Sequence, residues 1–424
     1  MNPEILFSDL NKNFKSIYNN NSVTLDYQTN RYKKLIDLFY NTYNDNEEIS
    51  IISTPGRTEI IGNHTDHNGG KVIAASINLD TVIAYSQADN EVKLKSDQYE
   101  EIFRVNLSEL APIEKEKGST NSLIRGIAAG FIKYGYKIGG FNGVLTSDVK
   151  LGSGLSSSAS VEVAIGSVFN QLYNDNQIPP GMIAKIGQFA ENEYFGKPCG
   201  LMDQMVCAVG GIVSIDFEES DNPIVEKIDY DFESQGYKLL IVDTGENHED
   251  LTDDYASIPK EMKSVAEVLE SKVCREISKK TLLQNIKILR TKVGDRAILR
   301  ALHFINENER VTKLANSLNH NNFTEFLDLI NESGNSSFKW LQNIYSTTNV
   351  KEQSVSLSLA LTERFIKGKN AGACRVHGGG FAGTIQVFLP EKYVEEYKDY
   401  IEPVLGKDKV LVLSIRSKGI VNLK

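Results

Sequence analysis

The chain has 424 residues, 41% of them apolar and 24% charged, which excludes a wholly disordered, collagen-like or membrane-embedded protein. Acidic residues number 56 against 46 basic, a net charge of −10, and this argues against a broad grip on nucleic acid or on an anionic membrane. The length allows two or three domains with a large core and no disulfides. Cysteines 199, 207, 274 and 374 lack paired spacing and read as free thiols of a reducing compartment. Met1 to Leu10 carries Glu4 and Asp9 where a signal peptide would be basic, and no apolar run reaches the ~18 residues of a membrane helix. A cytoplasmic protein is expected.

In chain order, a helix is expected over Tyr32 to Tyr40, followed by a solvated loop from Asn41 to Glu48. The apolar pair Ile51 and Ile52 should end at Thr54-Pro55-Gly56, where proline forces a turn or an extended geometry. Val72 to Ala75 and Thr81 to Ser86 read as separate strands. Helical spacing covers Ser122 to Phe131, and Phe141 to Leu145 reads as a strand. The strongest helix is Leu155 to Tyr173, where Val161, Ala164, Ile165, Val168, Phe169 and Leu172 recur at three and four. Met182 to Tyr194 reads as one further helix and Gly210 to Phe217 as a strand. The acidic stretch Ser220 to Asp231, with Pro223, is the expected linker, dividing the chain into domains 1–225 and 226–424.

Beyond it come a strand (Lys238 to Asp243), helices (Met262 to Leu269, Ala301 to Leu318, Ser354 to Phe365), a strand (Thr384 to Phe388), a helix near Tyr393 to Tyr400 and a last strand (Val410 to Ile415). Strands and helices mix without a βα repeat, which predicts an α+β protein.

Three glycine-rich stretches carry chemistry. Gly152-Ser153-Gly154-Leu155-Ser156-Ser157-Ser158 immediately precedes the strongest helix. Glycines let a backbone approach an oxyanion, and a helix N-terminus attracts one. The serines can cap the helix, bind phosphate or offer a hydroxyl to magnesium. A plain capped helix needs only one of them. Pro55 to Gly70 contains Arg57, Asn63, His64, Asp66 and His67 between glycine turns. That suits a polyhydroxylated ligand; His64, Asp66 and His67 without a fourth ligand make a poor zinc site. In the third, Cys199-Gly200-Leu201-Met202-Asp203-Gln204, Asp203 sits among apolar neighbours. It reads equally as a helix cap or a desolvated functional carboxylate. A further stretch, His377 to Gly383, is a glycine turn entering a strand.

From Ser53 to Phe388 these segments resemble the ordered motifs of the GHMP small-molecule kinases and, within them, the galactokinase family. The resemblance implies two α+β domains, a ribosomal-S5-like N-terminal half and a ferredoxin-like C-terminal half, with the active site between them. It implies ATP-dependent phosphorylation of galactose at the anomeric C1 hydroxyl, with Mg²⁺. Asp203 matches the catalytic aspartate, with Arg57 balancing charge on the migrating phosphoryl group. Gly152, Ser153, Gly154, Ser156, Ser157 and Ser158 match the nucleotide loop. Glu191 matches the magnesium carboxylate, with Ser158 as its hydroxyl partner. Asn63, His64, Asp66 and Gly200 fall in the sugar-binding motifs. Tyr255, seven residues after His248, matches a tyrosine that packs on the sugar.

The match has departures. The family reads Gly-Glu-His-x-Asp-Tyr where this chain has Gly62-Asn63-His64-Thr65-Asp66-His67, and Val-Asn where it has Thr58-Glu59. Loss of the glutamate leaves open a galactose modified at C6, such as galacturonate, with Asn63 and His67 as donors. A non-catalytic sugar and ATP sensor of the same fold is a third reading.

Overall fold

The computed structural model describes residues 13–18, 22–43, 48–150, 152–220, 222–245 and 251–423. Leu151, His248 and residues 44–47 of the expected loop lie outside the described residues. Among the described residues, no helix is long and apolar enough to cross a membrane.

The described strands form two sheets. The larger, of eight strands, runs β12 (Val421–Asn422), β1 (Ser50–Ile61), β2 (Lys71–Gln87), β5 (Phe141–Ser147), β3 (Glu91–Ser96) and β4 (Ile102–Asn106). On β2 it also carries β6 (Ile212–Asp216), which pairs in turn with β7 (Ile224–Ile228). The smaller sheet has the order β11 (Val410–Leu413), β8 (Tyr237–Asp243), β10 (Thr384–Pro390) and β9 (Ala373–His377).

Alternation along β2 sets the layers. Ile83 and Tyr85 face a core with Ile127, Phe131, Val163 and Ile183 from helices Thr120–Lys133, Ser157–Tyr173 and Pro180–Ala190. Val82 and Ala84 point the other way, onto Leu35 and Phe39 of helix Ser22–Tyr43. A third core joins Ile60 and Ile73 of the larger sheet to Leu239, Ile241 and Phe388 of the smaller one. Helices Asp295–Asn319 and Phe323–Ser336 complete it with Leu314 and Phe326. The α+β architecture follows, with two sheets sharing buried contacts.

Several expectations change. Helix Ser22–Tyr43 starts well before Tyr32 because its buried face includes Gln28 and Arg31. Those polar residues conceal the periodicity, and Arg31 is held inside by Asp80 at 2.6 Å. The strands expected over Val72 to Ala75 and Thr81 to Ser86 are one strand, β2. Of the two geometries expected at Thr54-Pro55-Gly56, the extended one forms, inside β1. The helix expected over Met182 to Tyr194 ends at Ala190 and continues as a π-turn, Glu191–Phe195. The expected linker contains β7, an edge strand whose first four residues are exposed or half-buried, so its composition reads as linker. The 225/226 division falls inside β7, and β12 returns to the larger sheet from the far end of the chain.

Candidate active site

The site begins where β1 breaks its ladder. Pairing with β2 runs from Ser50 opposite Tyr85 to Pro55 opposite Asp80, then resumes with Arg57 opposite Ser76. The surplus residues of β2 turn to the chain end, Asn78 N–H donating to Ser414 O at 3.0 Å. Pro55 has no N–H to offer, and a break in the ladder is where proline fits. At Gly56, a Cβ would sit 2.8 Å from the Leu155 carbonyl oxygen. The Arg57 N–H donates to that same carbonyl at 3.0 Å. The break therefore stitches β1 to the residues just before helix Ser157–Tyr173.

Arg57 is buried and grips Asp203 with two bonds, Nε to Oδ1 at 2.7 Å and Nη2 to Oδ2 at 2.6 Å. Ser156 Oγ donates to the same carboxylate, and Arg57 Nη1 donates to Gly154 O. Burial pushes the Asp203 carboxyl up, but Arg57 and then Ser156 outweigh it and hold the group below its ordinary value. Asp203 is thus an anion at neutral pH, with 32% of its side chain open to solvent.

Gly152, Gly154 and Ser156 take φ of +74°, +71° and +62°. Ser156 is the N-cap of helix Ser157–Tyr173, yet its hydroxyl makes no capping bond. It is committed to Asp203 instead. The plain capped-helix reading therefore fails, and the helix start lacks its side-chain cap. Ser153 Oγ bonds Lys150 O at 2.6 Å, while Ser157 and Ser158 are half-buried.

Ser158 Oγ lies 3.3 Å from Glu191 Oε1. Magnesium oxygen distances of ~2.0–2.1 Å put adjacent octahedral ligands roughly 3 Å apart, so this pair of hard oxygens fits one edge of such a site. Lys197 Nζ approaches the same Oε1 at 3.3 Å. Among the described residues no group of three His, Cys, Asp or Glu could hold an ion, so further ligands would have to come from phosphate and water. Glu191 Oε2 is fixed by Gln204 Nε2 at 2.8 Å, which also donates to the buried Glu162 at 2.9 Å.

The other wall is the loop after β1. Asn63 is 1% exposed. Its Nδ2 donates to Gly378 O at 2.6 Å and to Glu59 Oε1 at 3.2 Å, and its Oδ1 accepts from Asn343 at 2.7 Å. His64, at φ +57°, lies 2.9 Å from Gly379 O through Nε2. Burial lowers its pKa to about 4, so the ring is neutral and that nitrogen is the donor. Asp66 packs against Gly200, where a Cβ would lie 2.5 Å from Oδ2.

Tyr255 donates to Gly380 O at 2.8 Å, and a Cβ on Gly379 would lie 2.2 Å from its ring. His377 spans Thr58 and Thr384, each at 3.0 Å. The result is a cleft of about 130 Å³ lined by Arg57, Glu59, Asn63, His64, Asp66 and Gly379, among others.

Most of the residues singled out in the sequence thus converge. Arg57, Asn63, His64 and Asp66 line the cleft; Gly154 and Asp203 meet Arg57 beside it, and Ser156 meets Asp203. Tyr255 instead braces the glycine turn from outside the cleft lining. Sequence reasoning missed Gln204, Glu162, Asn343, His377 and Arg375 as parts of the site. It noted Glu59 only as a departure, although two-residue spacing on a strand puts it on the face of Arg57.

Residues 122–211 match the family model "GHMP kinases N terminal domain", and residues 37–87 match the "Galactokinase galactose-binding signature". A galactokinase of Glaesserella parasuis serovar 5 is 31% identical over 363 residues, covering 82% of this chain and 88% of that protein. A galactokinase of Clostridium tetani is 29% identical, covering 81% and 85%. The crystal structure of Lactococcus lactis galactokinase with galactose matches at a TM-score of 0.79 and 24% identity, covering 92% of this chain and 99% of that one. Methanococcus jannaschii mevalonate kinase matches at 0.60 and 19% identity, covering 88% and 99%. These two likenesses bear on the fold.

Proposed function

Since the chain belongs to the galactokinase family of the GHMP kinases, we propose that it transfers the γ-phosphoryl group of ATP to the C1 hydroxyl of galactose, giving galactose 1-phosphate and ADP. The observation that carries this reading is the Arg57–Asp203 pair. It is tied to the phosphate loop through Ser156 and Gly154 and stands at the edge of a hydroxyl-matching cleft.

Phosphoryl transfer has a loose transition state, so the protein's task is to position reactants and neutralise charge. Asp203 orients the C1 hydroxyl and accepts its proton. The C1 oxygen bonds to phosphorus while the bond from phosphorus to the ADP oxygen breaks. Arg57 lowers the basicity of Asp203, which makes proton transfer late, once the oxygen has begun to bond to phosphorus. Arg57 also faces the charge that migrates with the phosphoryl group. The backbone at Gly152, Ser153 and Gly154, with Ser156, Ser157 and Ser158, cradles the phosphates.

Ser158 and Glu191 would hold Mg²⁺, which when bound offsets phosphate charge. Gln204 keeps Glu191 aimed at that place. We assign the protein to the cytoplasm, in keeping with its four free thiols.

An acidic sugar fits poorly. Both amide hydrogens of Asn63 are committed to protein oxygens, and Glu59 adds a carboxylate to the cleft wall. A panel of galactose, galacturonate and N-acetylgalactosamine with ATP and Mg²⁺ tests the proposal. Galactose should be turned over and galacturonate ignored; the reverse would overturn it.

A further inference from the structure

The carboxylate that Glu59 adds to the cleft wall can do more than repel an acidic sugar. We propose that Glu59, and not residue 63, supplies the carboxylate that accepts a hydroxyl hydrogen of the sugar and so helps select it.

Asn63 and Glu59 differ in what each side chain has left to offer. Asn63 has two amide hydrogens, and both are spent, on Gly378 O and Glu59 Oε1. Its carbonyl oxygen already receives Asn343, and the residue is 1% exposed. It is a strut between the loop after β1 and the glycine turn after β9. A second strut holds it from behind, His303 Nε2 lying 3.0 Å from Asn63 O.

Glu59 is different. Its Oε1 accepts from Arg375 Nη2 at 2.8 Å and from Asn63. Arg375 is fully buried and is itself anchored to Ile60 O at 2.8 Å. A carboxylate has about four acceptor positions on two oxygens. Among the described residues Oε2 accepts no hydrogen bond, and it is not one of the atoms sealed from solvent without a partner.

The residue lines the same cleft as Arg57, His64 and Asp66. One oxygen is therefore fixed by the protein, and the other is presented to whatever fills the cleft. An oriented, half-satisfied carboxylate rewards a ligand hydroxyl and penalises a ligand that lacks one. Burial also pushes the Glu59 carboxyl up, with Arg375 opposing, which agrees with a group that gains from another donor.

The two substitutions from the family pattern, at 59 and 63, fall on residues that touch. The structure makes them one change, with the carboxylate at 59 and the amide at 63.

This inference rests on the sugar-kinase reading, and its test separates the two. Wild type and Glu59→Gln are assayed for kcat/KM on galactose and on galactoses lacking, in turn, each non-anomeric hydroxyl. In wild type one deoxy sugar should be penalised far more than in Glu59→Gln, with the difference at least ~10-fold, as for a hydrogen bond to a charged group. The reciprocal exchange Glu59→Asn with Asn63→Glu should recover galactose activity relative to Glu59→Asn alone. That outcome also guards against loss of activity through misfolding around Arg375.

A wild type that turned over no galactose would overturn the proposed function, and this inference with it. A wild type active on galactose, with every deoxy penalty unchanged in Glu59→Gln, would overturn the Glu59 assignment alone.

Discussion

The cleft and the cluster beside it, the two ends of the candidate site, are built on different principles. On the side we assign to the sugar, polar side chains are tied to groups that take no part in chemistry: Asn63 to Gly378 O and Asn343, His64 to Gly379 O and, behind the glycine turn, Tyr255 to Gly380 O. At the phosphoryl end they are tied to one another: Ser156 to Asp203, Asp203 to Arg57, Ser158 to Glu191. The first arrangement fixes a shape before any ligand arrives. In the function proposed above, the second stores the reacting groups in mutual contacts that are exchanged for contacts with substrate. The sugar end is thus suited to selection and the phosphoryl end to turnover, and mutations at the two should separate in KM and kcat.

The largest effect is expected at the phosphoryl end. Asp203→Asn keeps the shape but removes the charge and the proton acceptor, so kcat should fall at least ~10²-fold. Galactose binding, measured by calorimetry, should stay within a few fold. Near-normal turnover would dissolve the contrast between the two ends.

Next comes Glu191→Gln, which removes one anionic oxygen from the pair with Ser158. The Mg²⁺ concentration for half-maximal rate should rise roughly tenfold. Superimposable Mg²⁺ titrations would make Glu191 a structural residue of the π-turn.

At the sugar end, Gly200→Ala places a Cβ 2.5 Å from Asp66 Oδ2. The carboxylate must shift, so KM for galactose should rise several fold with kcat changed less. Equal loss in kcat and no change in KM would contradict the assignment of that wall to the sugar.

Stability against pH, which leaves activity at neutral pH untouched, also differs between the ends. Burial lowers the pKa of His64 and of His303 from about 6.5 to about 4. Between those values the unfolded chain takes protons that the folded one refuses, so stability falls as pH drops from 6.5 toward 4. Asp203, with its pKa lowered from 3.8, contributes stability above that value and loses it only as the pH falls further. His303→Gln should flatten the upper window, by up to about 3 kcal/mol, and leave the lower one. Urea melts across pH 7 to 3 would show it. A slope unchanged above pH 4 would mean that His303 takes its proton inside the fold.

Much of this protein was readable from the sequence. Residues close together in the chain, such as Gly152 to Ser158 or Gly200 to Asp203, bring their chemistry with them, because glycines before a helix or an acid at a helix start act locally. The helix expected over Leu155 to Tyr173 followed from periodicity for the same reason and begins two residues later, at Ser157; the α+β class followed from the order of strands and helices.

What only the tertiary structure decided depends on partners far apart in sequence. Asn63 reads as a sugar ligand until Asn343 and Gly378 claim its amide. Glu59 reads as a mere substitution until Arg375 fixes one of its oxygens at the wall of the cleft. Pro55-Gly56 reads as either a turn or an extended segment until the Leu155 carbonyl and the displaced register of β2 make room for it inside a strand. A side chain's composition states what it can bond, but only the fold determines which of those bonds are already taken.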